Sequence, residues 1–181
     1  VSLIAVFTNF YGHKDLNYNL VVVASAEEES SGKNGLNSVL PLLPTIDVAI
    51  VGEPTLMKLA ISEKGLVVFD VKVKGTPGHA AHPNDDNPIL KSIEVLQWLK
   101  NFTFDKSSET LGDVKLTVTQ INAGTQHNIV PSICRFVIDA RVPNAYTNLE
   151  VFTIIDKNTK SKLKARSLRL NSSSIDLDHP I

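Results

Sequence analysis

Leu20-Val21-Val22-Val23-Ala24-Ser25-Ala26-Glu27-Glu28-Glu29 is the stretch on which the reading of this chain turns. An unbroken apolar run ends abruptly in carboxylates. A second run, Ile46-Asp47-Val48-Ala49-Ile50-Val51, ends the same way in Gly52-Glu53-Pro54-Thr55. Between them lies a short helical stretch, residues 35–43, stopped by Pro41 and Pro44, which cannot continue a helix. Strand, helix, strand of this length reads as a βαβ unit with parallel strands. Val21-Val22-Val23 does not alternate with polar residues, as expected of a strand covered on both faces. Open parallel sheets place ligands at the carboxyl ends of their strands. Glu27, Glu28 and Glu53 are thus aimed where such a sheet does its chemistry. Clustered carboxylates repel one another unless a proton or cation intervenes, and that points to a metal site. The plain alternative for the first cluster is an acidic first turn of a helix, favoured by the helix dipole. Glu53 has no such explanation.

The bulk properties narrow the function classes. The chain has 181 residues, enough for one large or two small domains. Lys plus Arg number 18 against 19 Asp plus Glu, so no general field gathers nucleic acid or an anionic membrane. No apolar run approaches the length of a transmembrane helix. The lone Cys134 rules out an internal disulfide framework and a thiolate zinc cluster, and its place in an alternating strand pattern makes it a small core residue. The sequence starts in apolar residues, Val1 to Phe7, and stops at Asp178-His179-Pro180-Ile181, so it reads as an internal fragment of something longer.

After Glu53 the pattern changes. Val67, Phe69, Val71 and Val73 alternate with Asp70, Lys72 and Lys74, the period of two that marks a sheet with one wet face. Asn87-Pro88 starts a helix, Asn as N-cap and Pro at the first helical position, with Ile89, Ile93, Leu96 and Leu99 as its expected buried stripe. Val114, Leu116 and Val118 mark another strand. Cys134, Phe136, Ile138 and Ala140 point inward from the next, opposite Arg135, Asp139 and Arg141. Thr147-Asn148-Leu149-Glu150 is a capping box opening a helix with Leu149, Phe152 and Ile155, and residues 162–170 form a last strand. With an amphipathic helix over residues 1 to 10, the expected fold class is α/β. Residues 1–58, resuming at 171–181, form part of a parallel-sheet domain. Residues 59–170 form an inserted α+β ferredoxin-like domain of order β-α-β-β-α-β.

Five motifs in order then resemble those of the dinuclear zinc amidohydrolases: Ala24-Ser25-Ala26-Glu27-Glu28, Val51-Gly52-Glu53-Pro54-Thr55, Gly75-Thr76-Pro77-Gly78-His79, Asn128-Ile129-Val130-Pro131 and Asp139-Ala140-Arg141. That family includes acetylornithine deacetylase, succinyl-diaminopimelate desuccinylase and aminoacylase. The stretches 28–35 and 119–128 are most similar to the acetylornithine or succinylornithine deacylase branch. The resemblance implies hydrolysis of an N-acyl amide on a small amino acid, with N-acetyl- or N-succinyl-ornithine in arginine biosynthesis as the first expectation. It implies a cytoplasmic enzyme with two Zn²⁺ per subunit, or Co²⁺ in their place. It assigns Glu27 as general base, Glu28 and Glu53 as ligands to different metal ions, and His79 as donor to the developing oxyanion at the partner subunit's site. Asn128 and Arg141 would bind substrate, Arg141 through its carboxylate. The inserted domain would serve as lid and homodimerisation module.

Each assignment has a bland rival. His79 after Gly78 also reads as a surface turn histidine, Asn128 as a loop cap, and Arg141 as a solvated residue matched with Asp139. His82 and His127 fit no motif and read as surface residues. His13-Lys14-Asp15 has a His-x-Asp spacing but sits in a polar loop, so it too is assigned to the surface. The family's other ligands, an early His, a bridging Asp and a late His, have no counterpart in matching context, so the chain alone is expected to bind zinc weakly and to be inactive. The rival functions are a dipeptidase, a succinyl-diaminopimelate desuccinylase, and a non-catalytic dimerisation module.

Overall fold

The computed structural model describes residues 2–28, 32–56, 58–176 and 178–179. Two compact units divide it, residues 1–58 and 59–181. In the first, helix α1 spans Ser2–Phe10 and helix α2 spans Leu36–Val39, continuing into a 3₁₀ turn over Leu40–Leu42. The turn tightens where Pro41 offers no N–H to an α-helical bond. The expected parallel strands do not form: among the described residues of this unit there is no strand. The segments at 20–26 and 46–51 do not pair with each other, and a strand exists only by giving its N–H and C=O groups to a neighbour. Nor are the runs covered on both faces, since Val21 and Val22 are 45% and 40% exposed and Ile50 and Val51 70% and 76%.

The second unit holds the packed core. Its elements are β1 (Ser62–Glu63), β2 (Gly65–Lys74), β3 (Gly78–His79), α3 (Pro88–Asn101), β4 (Lys115–Ala123), β5 (Ile129–Val130), β6 (Ile133–Val142), α4 (Asn148–Asn158), β7 (Lys162–Ala165) and β8 (Ser173–Ser174). The main sheet has the order β4-β6-β2-β7 and is antiparallel throughout. β1 pairs with β8, and β3 with β5, as short two-stranded ribbons. β2 and β6 pair along their whole length, Gly65 opposite Val142 and Lys74 opposite Ile133. Their alternation puts Val67, Phe69, Val71 and Val73 with Cys134, Phe136, Ile138 and Ala140 on one buried face. α3 packs over β2 and β6, α4 over β2 and β7. Burying side chains of this size contributes about 1.5–3 kcal/mol each, and they are the main apolar burial in this unit.

The helix starts fall where the sequence puts them. Asn87 Oδ1 accepts from Ile89 N at 2.9 Å, and both halves of the Thr147/Glu150 capping box are made. The buried faces of the helices do so only in part: Leu99 and Ile155 are buried and Leu96 and Phe152 pack against the core as expected, but other positions differ. α3 buries Pro88, Ser92, Val95 and Leu99, while Ile89 and Ile93 stay 40% and 45% exposed. Ser92 goes inside because its hydroxyl donates to Pro88 O at 2.7 Å, which removes the cost of burying it. α4 likewise buries Asn148, Val151 and Ile155 and leaves Leu149 59% exposed. The last strand stops at Ala165. Beyond it the chain still follows β2 irregularly, with Arg166 N donating to Val68 O and Leu66 N to Leu170 O.

Asn148 fastens that return. Its Nδ2 donates to Leu168 O at 3.2 Å and Leu170 O at 2.8 Å, and its backbone N–H to Asn171 Oδ1. The side chain is 1% exposed. Asn148→Ala would remove both side-chain bonds to the returning chain from a position that is 1% exposed, and the expected loss is about 2 kcal/mol of unfolding free energy. A denaturant midpoint unchanged from the parent would contradict the role of this side chain.

Candidate active-site residues

His79 is held by a pinned loop. Gly75 turns the chain out of β2 so tightly that a Cβ there would lie 2.1 Å from Asp86 O and 2.5 Å from Pro88 Cδ, so no larger residue fits. Asp86 then ties the loop: Thr76 Oγ1 donates to its Oδ2 at 2.9 Å and Lys91 Nζ to its Oδ1 at 2.6 Å. These bonds, Lys91's first, hold the Asp86 carboxyl below its usual pKa. Asn84 Nδ2 adds a bond to Thr76 O. In β3, His79 lies opposite Ile129, and Ala80 N donates to Asn128 O at 2.9 Å. Two of the expected site residues, His79 and Asn128, are thereby brought together by backbone pairing.

The histidine's tautomer follows from its contacts. Ala81 N–H donates to His79 Nδ1 at 3.2 Å, so Nδ1 is an acceptor. A neutral imidazole then carries its proton on Nε2, a donor on an exposed side chain. That is the form needed to hydrogen-bond an oxygen that gains negative charge. The His82 ring stands 5.8 Å away at 59°, and His82 N donates to His79 O.

Arg141 lies at the far end of β6. Its Nε and Nη2 donate to Asp139 Oδ1 and Oδ2 at 2.8 and 3.2 Å, which fixes the plane of the guanidinium and holds its pKa above the ordinary value. Three further N–H groups of this partly exposed guanidinium remain, enough for a carboxylate. Ile133, beside the β3–β5 ribbon, is eight residues from Arg141, about 27 Å at strand rise. One copy of this unit therefore does not bring Arg141 to its own His79 and Asn128.

In the first unit, Glu27 has a left-handed backbone, φ 59°. Such a conformation is unfavourable for a non-glycine residue and is found where local bonds impose it. Here Gly32 N donates to Glu27 O at 3.1 Å, Asn34 N to Glu27 Oε2 at 3.0 Å and Asn34 Nδ2 to Oε1 at 3.1 Å. A Cβ on Gly32 would collide with the Glu27 side chain, and one on Gly35 with Ala26 O at 2.5 Å. Asn34 is thus part of the site, and sequence reasoning assigned it no role. The flanking Gly32 and Gly35 were the available signal. Glu28 and Glu53 are exposed, Glu53 followed by a turn in which Thr55 N donates to Glu53 O. Among the described residues no three or more His, Cys, Asp or Glu side chains gather closely enough to hold a metal ion. Glu28 and Glu53 do not make up a ligand set by themselves.

An antiparallel sheet of order β4-β6-β2-β7 with two helices on one face defines a ferredoxin-like domain. Residues 61–167 match the peptidase dimerisation domain of the M20 type. The chain belongs to the M20 peptidase dimerisation-domain family. It is 28% identical over 180 residues to a succinyl-diaminopimelate desuccinylase of Pelagibacter ubique, covering 90% of this chain and 47% of that protein. A Wolbachia pipientis protein of the same name is 29% identical over 184 residues, 95% of this chain and 46% of its own. A Rickettsia felis desuccinylase is 31% identical over 134 residues, 68% and 35%. The chain spans about half the length, or less, of these relatives. Among solved structures, a Burkholderia cenocepacia protein described as an amidohydrolase/peptidase shares the fold with TM-score 0.51 at 14% identity, over 65% of this chain and 31% of that one.

In the neutral form of the His79 ring, nitrogen-15 NMR is expected to place the proton on Nε2 rather than Nδ1. The reverse pattern would remove the basis for its donor role.

Proposed function

We propose that this chain carries the lid and part of the catalytic unit of a dimeric, metal-dependent hydrolase that cleaves the N-acyl amide of a small amino acid. The observation that carries the reading is the separation of donors on the sheet. His79 and Asn128 sit at one end, where Ala123 of β4 lies opposite Cys134, and Arg141 at the other, opposite Lys115. If two copies pair β4 with β4 in antiparallel fashion, the end of one strand lies beside the start of the other. The partner's His79 then approaches this chain's Arg141. A substrate held by its carboxylate on Arg141 would present its acyl oxygen to the partner's His79 Nε2–H, with the partner's Asn128 beside it.

The two sheet edges differ in a way that supports this pairing. β7 carries Lys162 and Lys164, charges that deter edge-to-edge association. β4 has Val118 38% and Ile121 53% exposed on the helix-side face, which neither helix covers. Ile89, Leu90 and Ile93 of α3 are exposed as well. The apolar stripe read on α3 is therefore real, but much of it faces away from this unit's own core.

Glu27 would act as the base. It takes a proton from the attacking water and returns it to the leaving amine, positioned by the two Asn34 donors. Glu28 and Glu53 would each give one carboxylate to a different metal ion, Zn²⁺ by the resemblance or Co²⁺ in its place. Among the described residues no group of three or more His, Cys, Asp or Glu side chains gathers to complete either set of ligands. For the substrate, N-acetyl- or N-succinyl-ornithine fits an arginine fork that reads one carboxylate. The relatives' names favour N-succinyl-diaminopimelate as a second reading, and it offers Arg141 the same group.

In the complete protein, Glu27→Gln is expected to lower kcat by several orders of magnitude with metal content unchanged, measured against both N-succinyl substrates side by side. Normal turnover would remove Glu27 as base; absence of hydrolysis by the parent itself would favour a non-catalytic dimerisation module. Val118→Lys with Ile121→Lys is expected to convert a dimer to a monomer in light scattering, while Lys164→Glu on the opposite edge leaves the dimer intact. A dimer surviving the first pair would place the interface elsewhere.

A further inference from the structure

The outer face of the main sheet carries a cation cluster that neither the fold nor the proposed hydrolysis uses. Lys72 of β2 lies opposite Arg135 of β6 on one side and Lys162 of β7 on the other, and Arg135 lies opposite Asn122 of β4. One transverse row thus reads Lys162, Lys72, Arg135, Asn122 across all four strands. At the ordinary strand spacing of about 4.8 Å, its three cations fall within roughly 10 Å. Like charges directly opposite each other destabilise a sheet, yet no carboxylate stands in this row. In the next row Asp70 lies opposite Lys164. Asp70 is taken by Arg166, through three bonds of 2.8–3.3 Å. Lys72, Arg135, Lys162 and Lys164 form no ion pair among the described residues.

Edge protection explains part of this and not the rest. Lysines on an edge strand discourage stray pairing, which accounts for Lys162 and Lys164. Lys72 and Arg135 lie on the two interior strands, where there is no edge to protect. The surface here is also hollowed, about 550 Å³ bounded by these side chains with Gln120 and Asn122. A second hollow of about 340 Å³ adjoins it, sharing Lys72 and Lys162 and adding Lys74 and Lys160. The net charge of the whole chain is −1, so the positive charge is local rather than general.

We propose that the outer sheet face around Lys72, Arg135 and Lys162 binds a small oligophosphate anion. The hollow has the size of a small-molecule site, and a near-neutral chain lacks the field that gathers a long polyanion. A row of three cations over about 10 Å suits linked phosphates: Arg135 offers a planar fork to one, and Lys72 and Lys162 act as point charges on the others. Gln120 and Asn122 add amide donors at the rim. The row is six residues along β6 from Arg141, about 20 Å, so an anion here leaves that guanidinium free.

The test is calorimetric titration of the 181-residue chain with inorganic tripolyphosphate at constant ionic strength, with thermal unfolding alongside. The expected result is saturable one-to-one binding and a raised unfolding midpoint. Lys72→Glu and Arg135→Glu should each weaken binding about tenfold or more, and Lys100→Glu on α3 should not change it. Lys72→Gln should raise the midpoint without anion, by relieving repulsion, and shrink the gain that tripolyphosphate gives. A parallel titration with ATP separates the sources: equal affinity means the phosphates alone are read, and tighter binding means a nucleotide. No saturable heat, an equal midpoint gain from sodium chloride at matched ionic strength, or unchanged affinity in both Glu variants would overturn the proposal.

Discussion

The pairing of β2 with β6 is the constraint on which the rest of this structure depends. Both strands alternate strictly, and they pair over ten residues without a break. Because side chains on a strand alternate faces, a slip of one residue in β2 would turn Phe69 and Val71 to water and carry Lys72 into the core, and one in β6 would do the same to Phe136 and Ile138 with Arg135 and Arg141. Burying several unpaired cations is far costlier than losing the apolar contacts. The register is thus fixed twice, once by what it buries and once by what it keeps out. The same choice sets the function of the outer face, because Asp139, Arg141, Lys72 and Arg135 are all placed by it.

This explains which parts of the fold were legible in the sequence. A period of two survives reading because it is a local property of each strand, and the antiparallel order of the second unit followed from it. The N-caps at Asn87 and Thr147 were legible for the same reason, since a cap is satisfied within three residues. Helix faces were legible only in part. Ser92 and Asn148 lie inside because each finds hydrogen-bond partners, Ser92 on its own helix and Asn148 on residues more than twenty positions away. A hydrophobic stripe cannot register such partners, so the reading of α3 took in the exposed Ile89 and Ile93 beside Leu96 and Leu99, which do face the core. The runs at 20–26 and 46–51 show the opposite failure: they have the composition of buried strands, and composition names what a segment could pair with, never whether the neighbour is there.

The candidate site divides along the same line. His79, Asn128 and Arg141 were named from motifs, and the structure explains why two of them travel together: the β3–β5 ribbon joins them through backbone bonds. It also shows what motifs could not, that Arg141 belongs to the other end of the sheet. Asn34 escaped notice because its role is to donate hydrogen bonds to a carboxylate seven residues away, which leaves no periodic trace.

Preorganisation is uneven across these groups, and the unevenness follows from where each finds its support. Glu27 is set by bonds within its own loop, at the expense of a left-handed backbone. His79 is set by Ala81 and by a loop tied to Asp86, and Arg141 by Asp139 two residues away. Each has its orientation fixed by neighbours close in sequence, so each can be in place before any larger assembly forms. Glu28 and Glu53 have no such local support: neither side chain makes a hydrogen bond or ion pair among the described residues. The groups proposed to hold protons and orient substrate are thus built into the chain's own turns. The carboxylates proposed to face a cation would take their geometry from it and from its other ligands, because a metal ion orders its ligands as much as they order it.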